Sequence, residues 1–250
     1  MPRDLSRKFT AEMLNAQPNF SLIDGITVLQ ALATSEAPVG SRELARRLNL
    51  ETTRANRLLR TLAYMGIARQ TADRKYVPGP GMFVLAAQSL FASGVIKNAM
   101  PHLESLRRFN LTVAFGVLWR DTVSYLYHAP PGMPSVEALG RVGVYPASKG
   151  GIGLVLLASN SEAQVRALYA EREIPGFDTL DTLLTELHKI RIDGYIQHPV
   201  TGKPGEHTLA IAVGSPPHAA VALSGWIPRG ATDELLEALR AVAMSIQMSS

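Results

Sequence analysis

Residues 41–65, SRELARRLNLETTRANRLLRTLAYM, constrain the chain most. Their apolar residues recur at helical spacing in two short blocks. Leu44, Ala45 and Leu48 make one stripe, and Ala55, Leu58, Leu59, Leu62 and Met65 make the other. Ser41 stands where a helix cap is expected, and Glu43 lies in the first turn, where the helix dipole favours an anion. Asn49-Leu50 supplies the turn, with Leu50 as a buried plug. Thr52 or Thr53 is expected to cap the second helix and Gly66 to end it. Two helices this short, joined this tightly, predict a helix-turn-helix.

The polar face of the second helix points to a partner. Thr52, Thr53, Arg54, Asn56, Arg57 and, a turn later, Arg60 lie toward its N-terminal end. A recognition helix presents that end to base edges in the major groove while the preceding helix, here with Arg42, Arg46 and Arg47, crosses the backbone. Arginine reads guanine bidentately and asparagine reads adenine, so Arg54, Asn56 and Arg57 are suitable base readers. The same residues also fit a solvated, arginine-rich helix face. After Gly66, two short strands are expected to flank Thr71-Ala72-Asp73-Arg74, which predicts a β-hairpin wing whose Arg69, Arg74 and Lys75 would track phosphates or the minor groove. Residues 41–75 hold eight arginines and Lys75 against Glu43, Glu51 and Asp73, a net +6, whereas the whole chain carries +4, leaving −2 elsewhere. Basicity confined to the helix-turn-helix segment is the electrostatic footprint of a DNA-binding module.

Around that core the order is helix, helix, helix, wing. Residues 20–33 supply the first helix, with Ser21 as cap and Leu22, Ile23, Ile26, Val28, Leu29 and Leu32 as its core side. Residues 1–19 read as a flexible or partly helical arm. Pro78-Gly79-Pro80-Gly81 closes the wing, and residues 82–95, MFVLAAQSLFASGV, form an apolar helix more hydrophobic than one small domain needs. It is expected to link the domains and pack on a second subunit; an ordinary core helix is the alternative. Beyond it, a helix at 100–109 precedes strands at 111–118 and 122–128 around Trp119-Arg120-Asp121. A strand is expected at 141–148, helices at 151–158, 161–169 and 180–192, strands at 194–196, 208–214 and 219–226, and a closing helix at 232–248 capped by Thr232. Antiparallel strands with helices before, between and after them predict an α+β domain.

The chemistry signatures of enzymes are weak here. Gly151-Ile152-Gly153 begins a dinucleotide fingerprint, but Leu156 occupies its last position. P-loop, nucleophile-elbow and zinc-protease motifs do not occur. His198, Glu206 and His207 lie on a Gly/Pro-rich loop and read as surface rather than metal ligands. The chain has no cysteine, which excludes disulfides, Fe–S clusters and thiol catalysis and is compatible with the cytoplasm. No apolar run is long enough to span a bilayer, so a membrane is not an expected partner, and no cofactor or metal is expected. A ligand pocket fits better. Lys149-Gly150-Gly151-Ile152-Gly153 precedes an apolar helix, so backbone N–H groups can approach an anion at its N-terminus, with Ser148, Lys149 and Arg141 alongside. A plain tight strand–helix connection accounts for the glycines equally well.

Taken together, these segments resemble the IclR family of bacterial transcriptional regulators from about Phe20 onward. SRELARRLNL with TTRANRLLRTLAYMGIARQ is similar to that family's helix-turn-helix and wing, and Tyr76-Val77-Pro78-Gly79 to its exit from the wing. Gly153-Leu154-Val155-Leu156-Leu157-Ala158 and Ile190-Arg191-Ile192-Asp193-Gly194-Tyr195 match two further family segments. So do Ile211-Ala212-Val213 and Ala222-Leu223-Ser224. The resemblance implies an arm over 1–19, a winged helix-turn-helix over 20–80, a linker helix over 81–98 and a GAF-like α/β effector-binding domain over 99–250. It implies homodimers or dimers of dimers on palindromic operators of metabolic operons, and effectors that are small organic acids or aromatic metabolites, a carboxylate first among them. On the family pattern, Thr53, Arg54, Asn56 and Arg57 fall at recognition positions. The effector site would take Gly116, Val117, Leu118, Arg141, Ser148, Lys149, Gly150, Gly151, Ala212 and Leu223. The chain departs from the family where His-x-Thr-Ala-x-Gly-Lys is usual: it has Ser148-Lys149-Gly150-Gly151-Ile152-Gly153-Leu154, two glycines for Thr-Ala and a leucine for the lysine. The expected function is therefore a ligand-responsive repressor or activator, not an enzyme. The other reading is a small-molecule enzyme or carrier with an incidental basic head.

Overall fold

A computed structural model describes residues 17–140, 143, 145–170 and 172–249. Most of the expected N-terminal arm, residues 1–16, and Arg141 lie outside the described residues. The chain divides into two compact units, one ending at Ser93 and the other starting at Gly94.

The first unit runs α1 (Phe20–Ala33), α2 (Ser41–Leu48), α3 (Thr52–Tyr64), β1 (Ala68–Gln70), β2 (Tyr76–Pro78) and α4 (Pro80–Ser93). Its core is Val28 and Leu32 of α1, Val39, Leu44 and Leu48, Leu59 of α3, and Ala68 and Tyr76 of the hairpin. Residue 39 and Tyr76 exchange two backbone hydrogen bonds of 3.0 and 2.9 Å, tying the wing to the strand-like segment before α2. The apolar positions of α1 divide differently from the sequence reading. Leu22 and Ile26 are exposed, while Asp24 and Thr27 are buried on the core side with Val28 and Leu32. A helix apolar nearly all round gives no stripe to read, so its orientation is set by what packs on it.

Helix starts also differ from expectation. Asn19, not Ser21, caps α1, accepting from the Leu22 N–H at 3.1 Å. Gly40 and Glu51 occupy the cap positions of α2 and α3 without a side-chain bond, which puts Ser41 and Thr52 one residue inside. The C-terminal ends follow the sequence. Gly66 has φ +73°, and the pair Ile67 N–H to Leu62 O (2.9 Å) and Gly66 N–H to Ala63 O (3.0 Å) closes α3. The expected linker helix runs Pro80–Ser93, and none of its side chains is buried.

The second unit begins with α5 (Val95–Ser105), earlier than the helix expected at 100–109, with Pro101 inside it, and a 3-10 turn follows at Leu106–Phe109. Then come β3 (Thr112–Trp119), β4 (Thr122–Ala129), β5 (Tyr145–Pro146), α6 (Gly151–Ala158), α7 (Glu162–Tyr169) and α8 (Leu180–Asp193). β6 (Ile196–Pro199), β7 (His207–Gly214), β8 (Pro217–Gly225) and α9 (Thr232–Met248) complete it. Ala231, not Thr232, occupies the cap position of α9. The strands form one antiparallel sheet ordered β5-β4-β3-β8-β7-β6. This is an α+β fold.

Alternation along the strands sorts the two faces. Val113, Phe115, Leu209, Ile211, Val221 and Leu223 pack with α5 and α9. The residues between them, Ala114, Ala210, Ala220 and Ala222, face α6 with α7 and α8 behind it. A face of alanines lets a helix lie close. All eight residues of α6 are buried. A Cβ on Gly153 would stand 2.1 Å from the Ala147 carbonyl oxygen, and one on Gly151 would stand 2.9 Å from Thr208 Cγ2. On Gly150 the nearest atom would be Tyr125 Oη at 3.8 Å. Gly153→Ala is therefore expected to destabilise this unit by about 1–3 kcal/mol through overpacking, and Gly150→Ala to stay within about 0.5 kcal/mol. Both tryptophans, Trp119 and Trp226, belong to this unit, so urea melts followed by their fluorescence make the comparison. Equal midpoints for the two variants would contradict the close-packing account.

Candidate nucleic-acid interface and ligand cavity

Asn49, at φ +54°, makes the turn between α2 and α3, and the Leu50 N–H bonds back to Ala45 O at 2.8 Å. A short polar side chain tolerates this left-handed conformation better than most. Leu50 is half-buried against the core of the unit. With the apolar side of α3 held by Ala55 and Leu59, its opposite side presents Thr52, Thr53, Asn56, Arg57 and Arg60, all exposed. Among the described residues no ion pair holds Arg57 or Arg60. Arg42 and Arg46 of α2 are exposed, and Arg47 pairs with Glu43 one turn back. Arg54 is placed differently from its neighbours: it is half-buried, and its Nε lies 2.6 Å from Oδ2 of Asp24 on α1.

The wing tip is internally hydrogen-bonded. Thr71 Oγ1 donates to Asp73 and accepts from the Lys75 N–H at 3.2 Å, and the Thr71 N–H reaches Lys75 O at 2.8 Å. The Thr71 hydroxyl and then Lys75 hold the Asp73 carboxyl below its ordinary range, so it is ionised and offsets part of the Lys75 charge at 3.1 Å. Arg69 and Arg74 are exposed on the same hairpin.

The second unit contains a cavity of about 480 Å³ on the α6 side of the sheet. Its floor is Ala114, Val123 and Ala222, and one end is Lys149, Gly150 and Gly151 at the start of α6. Tyr125 and Tyr145 meet edge to face across 5.0 Å, with His128 edge-on to Tyr125 at 5.7 Å. Thr208 and Ser224 share a 2.7 Å hydrogen bond in the opposite wall. The 198–206 loop closes that side with His198, Lys203 and Glu206, the last two paired at 3.3 Å. Burial pushes the His198 imidazole below its ordinary pKa, with Glu186 opposing and His207 adding to the shift, so it is neutral near pH 7. His207 lies opposite Pro199 and Gly225 in the sheet, one residue out of phase with His198. No group of three or more metal-ligating side chains occurs among the described residues.

Of the effector residues expected from the sequence, the cavity wall takes Lys149, Gly150 and Gly151. Ser148 is buried beside it and donates to Pro175 O at 2.6 Å. Gly116 sits under Val123 and Ile152, Leu118 and Ala212 pack on the α6 side, and Val117 and Leu223 belong to the opposite face. The sequence reading missed Tyr125, His128, Tyr145, Thr208 and Ser224. Strand alternation places Thr208 and Ser224 in phase with Ala210 and Ala222, a signal that was available once the buried face was known.

The first unit, with three helices, a tight turn and a basic hairpin, defines a winged helix-turn-helix DNA-binding protein. The IclR helix-turn-helix domain family matches residues 21–72. The HTH-type transcriptional regulator BhcR of Paracoccus denitrificans is 26% identical over 196 residues, covering 75% of this chain and 70% of that protein. Among solved structures, a putative IclR transcriptional regulator from Silicibacter superposes with a TM-score of 0.76 at 19% identity, covering 91% of this chain and 95% of that one. An IclR homologue from Microbacterium hydrocarbonoxydans, complexed with 4-hydroxybenzoate, does so with a TM-score of 0.67 at 20% identity, covering 92% and 98%. Residues 21–72 thus match the IclR helix-turn-helix domain, and the chain as a whole has the fold of IclR-family transcriptional regulators. No single helix among the described residues is long and apolar enough to cross a membrane.

The exposed face of α3 and the wing differ in what their loss should do. Arg57→Ala is expected to weaken binding to a selected operator by about 1–3 kcal/mol while leaving random duplex DNA nearly unaffected. Arg74→Ala should weaken both alike and reduce the salt slope by about 1. Anisotropy titrations at several salt concentrations check the pair. Indistinguishable profiles for the two variants would remove the division between base reading and phosphate contact.

Proposed function

We propose that this regulator is ligand-responsive, and that its effector is a small carboxylate with an aromatic ring or a group of similar size. The observation that carries this reading is the cavity itself. At one end Lys149 meets the start of α6, where helix N–H groups lack intrahelical partners and favour an anion. Further in, Tyr125 and Tyr145 offer ring edges, the alanines a flat floor, and Thr208 and Ser224 hydroxyls for a polar substituent. The 4-hydroxybenzoate held by the Microbacterium homologue is a molecule of this description. Thr52, Thr53, Arg54, Asn56, Arg57 and Arg60 would face the operator, with Arg42, Arg74 and Lys75 on phosphates. The exposed apolar side chains of α4, Phe83, Val84, Leu85 and Phe91, support a homodimer, and a two-fold dimer implies a palindromic operator in front of a metabolic operon. The effector acts by binding one arrangement of the dimer better than the other. Its effect on DNA affinity cannot exceed that difference.

The test is a thermal shift of the full chain with 4-hydroxybenzoate, benzoate and short aliphatic carboxylates, each beside its methyl ester. At about 100 times Kd, a ligand of the native state adds about 2.7 kcal/mol, a rise of roughly 5–10 °C for a domain of this size. At least one carboxylate is expected to raise the melting temperature, its ester is not, and Lys149→Met should abolish the shift. Equal shifts from acid and ester would overturn the anion-end assignment.

A further inference from the structure

Helix α1 buries a carboxylate where a hydrophobic residue would have served the core. Asp24 is 3% exposed, on the face that also carries Val28 and Leu32. Its ion-pair partner is Arg54, in the first turn of α3, with Nε 2.6 Å from Oδ2. A carboxylate in such a place requires a cation, and removing one partner leaves an uncompensated buried charge. The arginine is not buried to the same extent: its side chain is 36% exposed. A guanidinium has five N–H donors in a rigid fork. With Nε turned to Asp24, the two terminal nitrogens form the other edge, and the side chain stands next to exposed Thr53 and Arg57 at the N-terminal end of the helix.

We propose that Asp24 is a positioning residue for DNA recognition: from α1 it fixes the orientation of Arg54 so that the terminal guanidinium nitrogens read O6 and N7 of one guanine in each half-site. This rests on reading α3 as the recognition helix. The chemistry is that of a bidentate arginine–guanine contact. Asp24 contributes preorganisation, because a long side chain already held in one orientation loses less conformational freedom on binding than a free one. Its own charge, buried and paired, is kept away from the phosphates. Part of the base preference of the protein is therefore encoded in α1, outside the helix-turn-helix.

The experiment is selection of bound sequences from a random duplex library at about 0.15 M salt, using the full chain. The variants are Asp24→Asn, Arg54→Lys, their double variant and Arg57→Ala, each also melted by far-ultraviolet circular dichroism. Arg54→Lys keeps a cation beside Asp24 but cannot form the fork. It is expected to lose guanine preference at one position per half-site by on the order of tenfold or more. Asp24→Asn should relax the preference at that same position and no other, and the double variant should be no worse than Arg54→Lys alone. If Asp24→Asn does not fold, Asp24→Glu, which keeps the charge but displaces it, carries the same expectation. Lowered melting temperatures with unchanged base preferences would reduce the pair to a tie between α1 and α3 and overturn the proposal. So would a preference lost in Arg54→Lys but intact in the Asp24 variants. Arg57→Ala separates the two levels. If it changes preferences elsewhere in the half-site while the Asp24 and Arg54 variants change none, only this proposal falls. If it too changes none, the recognition-helix reading falls with it.

Discussion

The close approach of α6 to the sheet is the constraint on which the second unit depends. Ala114, Ala210, Ala220 and Ala222 line one face of the central strands, and larger residues line the other. A sheet with one thin face can accept a helix at short range only if the helix is also thin where it touches. Gly151 meets that condition against Thr208 and Ala210 of β7, while Gly153 lets α6 pack on the backbone of Ala147 in the turn that precedes it; the distances a Cβ would have to Thr208 and to Ala147 are below any van der Waals contact. The side of α6 away from the sheet is then covered by Leu183 and Leu187 of α8 and Val165 of α7. A helix apolar on every side needs burial on every side. Because α6 is only eight residues long, the sheet extends past its N-terminal end, and the cavity occupies that remaining stretch.

Carboxylates tie separate segments together in three places, two of them buried and one half-buried. Asp24 pairs with Arg54, and Asp121 in the β3–β4 turn pairs with Arg172 at 3.1 Å. Glu104 accepts from Tyr127 and from Arg107, which also reaches Ser135 at 3.0 Å and the Met133 carbonyl. Burial raises the Tyr127 hydroxyl to about 12, with Glu104 reinforcing the shift, and the Tyr127, Ser135 and Arg107 contacts outweigh burial to keep Glu104 ionised below its ordinary range. Each cluster joins segments far apart in sequence. Such pairs add little net stability over a well-packed apolar substitute, but they penalise any arrangement that separates the partners. Two of the three sit beside the candidate sites: Asp24–Arg54 at the start of α3, and Asp121–Arg172 next to the turn into α6, where Asp121 O accepts from the Ala147 N–H at 2.8 Å.

What the sequence disclosed follows from the range of the interactions. The helix-turn-helix and wing were legible because their signals are local: a stripe at 44, 45 and 48, an αL-tolerant Asn49, a terminating Gly66. The class of the second unit was legible from alternation in its strands. Helix caps were not. Ser41, Thr52 and Thr232 each fall one residue inside the helix; for the first two, the chain leaves extended geometry at Gly40 and Glu51 and not at the nearest hydroxyl. The orientation of α1 was hidden by its uniform hydrophobicity, and with it the burial of Asp24. The cavity walls came from residues 112 to 224, brought together only by the β3–β8 pairing of two hairpins, so no spacing along the chain announced them.

The glycine run before α6 was open to two readings, an anion cradle or a tight connection, and packing accounts for two of its three glycines. Gly151 and Gly153 are required by packing and say nothing of a ligand. Gly150 is different. It adopts φ −146° and ψ 154°, extended backbone that any residue accepts, and no atom lies within 3.8 Å of where its Cβ would be. Neither conformation nor packing demands a glycine there, yet it lines the cavity beside Lys149. A side chain at that position would project toward the Tyr125 hydroxyl and take up part of the space. Packing thus explains Gly151, which lets the helix terminus approach the sheet, and Gly153, which seats the helix on the turn before it, whereas Gly150 leaves space between Lys149 and the Tyr125 hydroxyl.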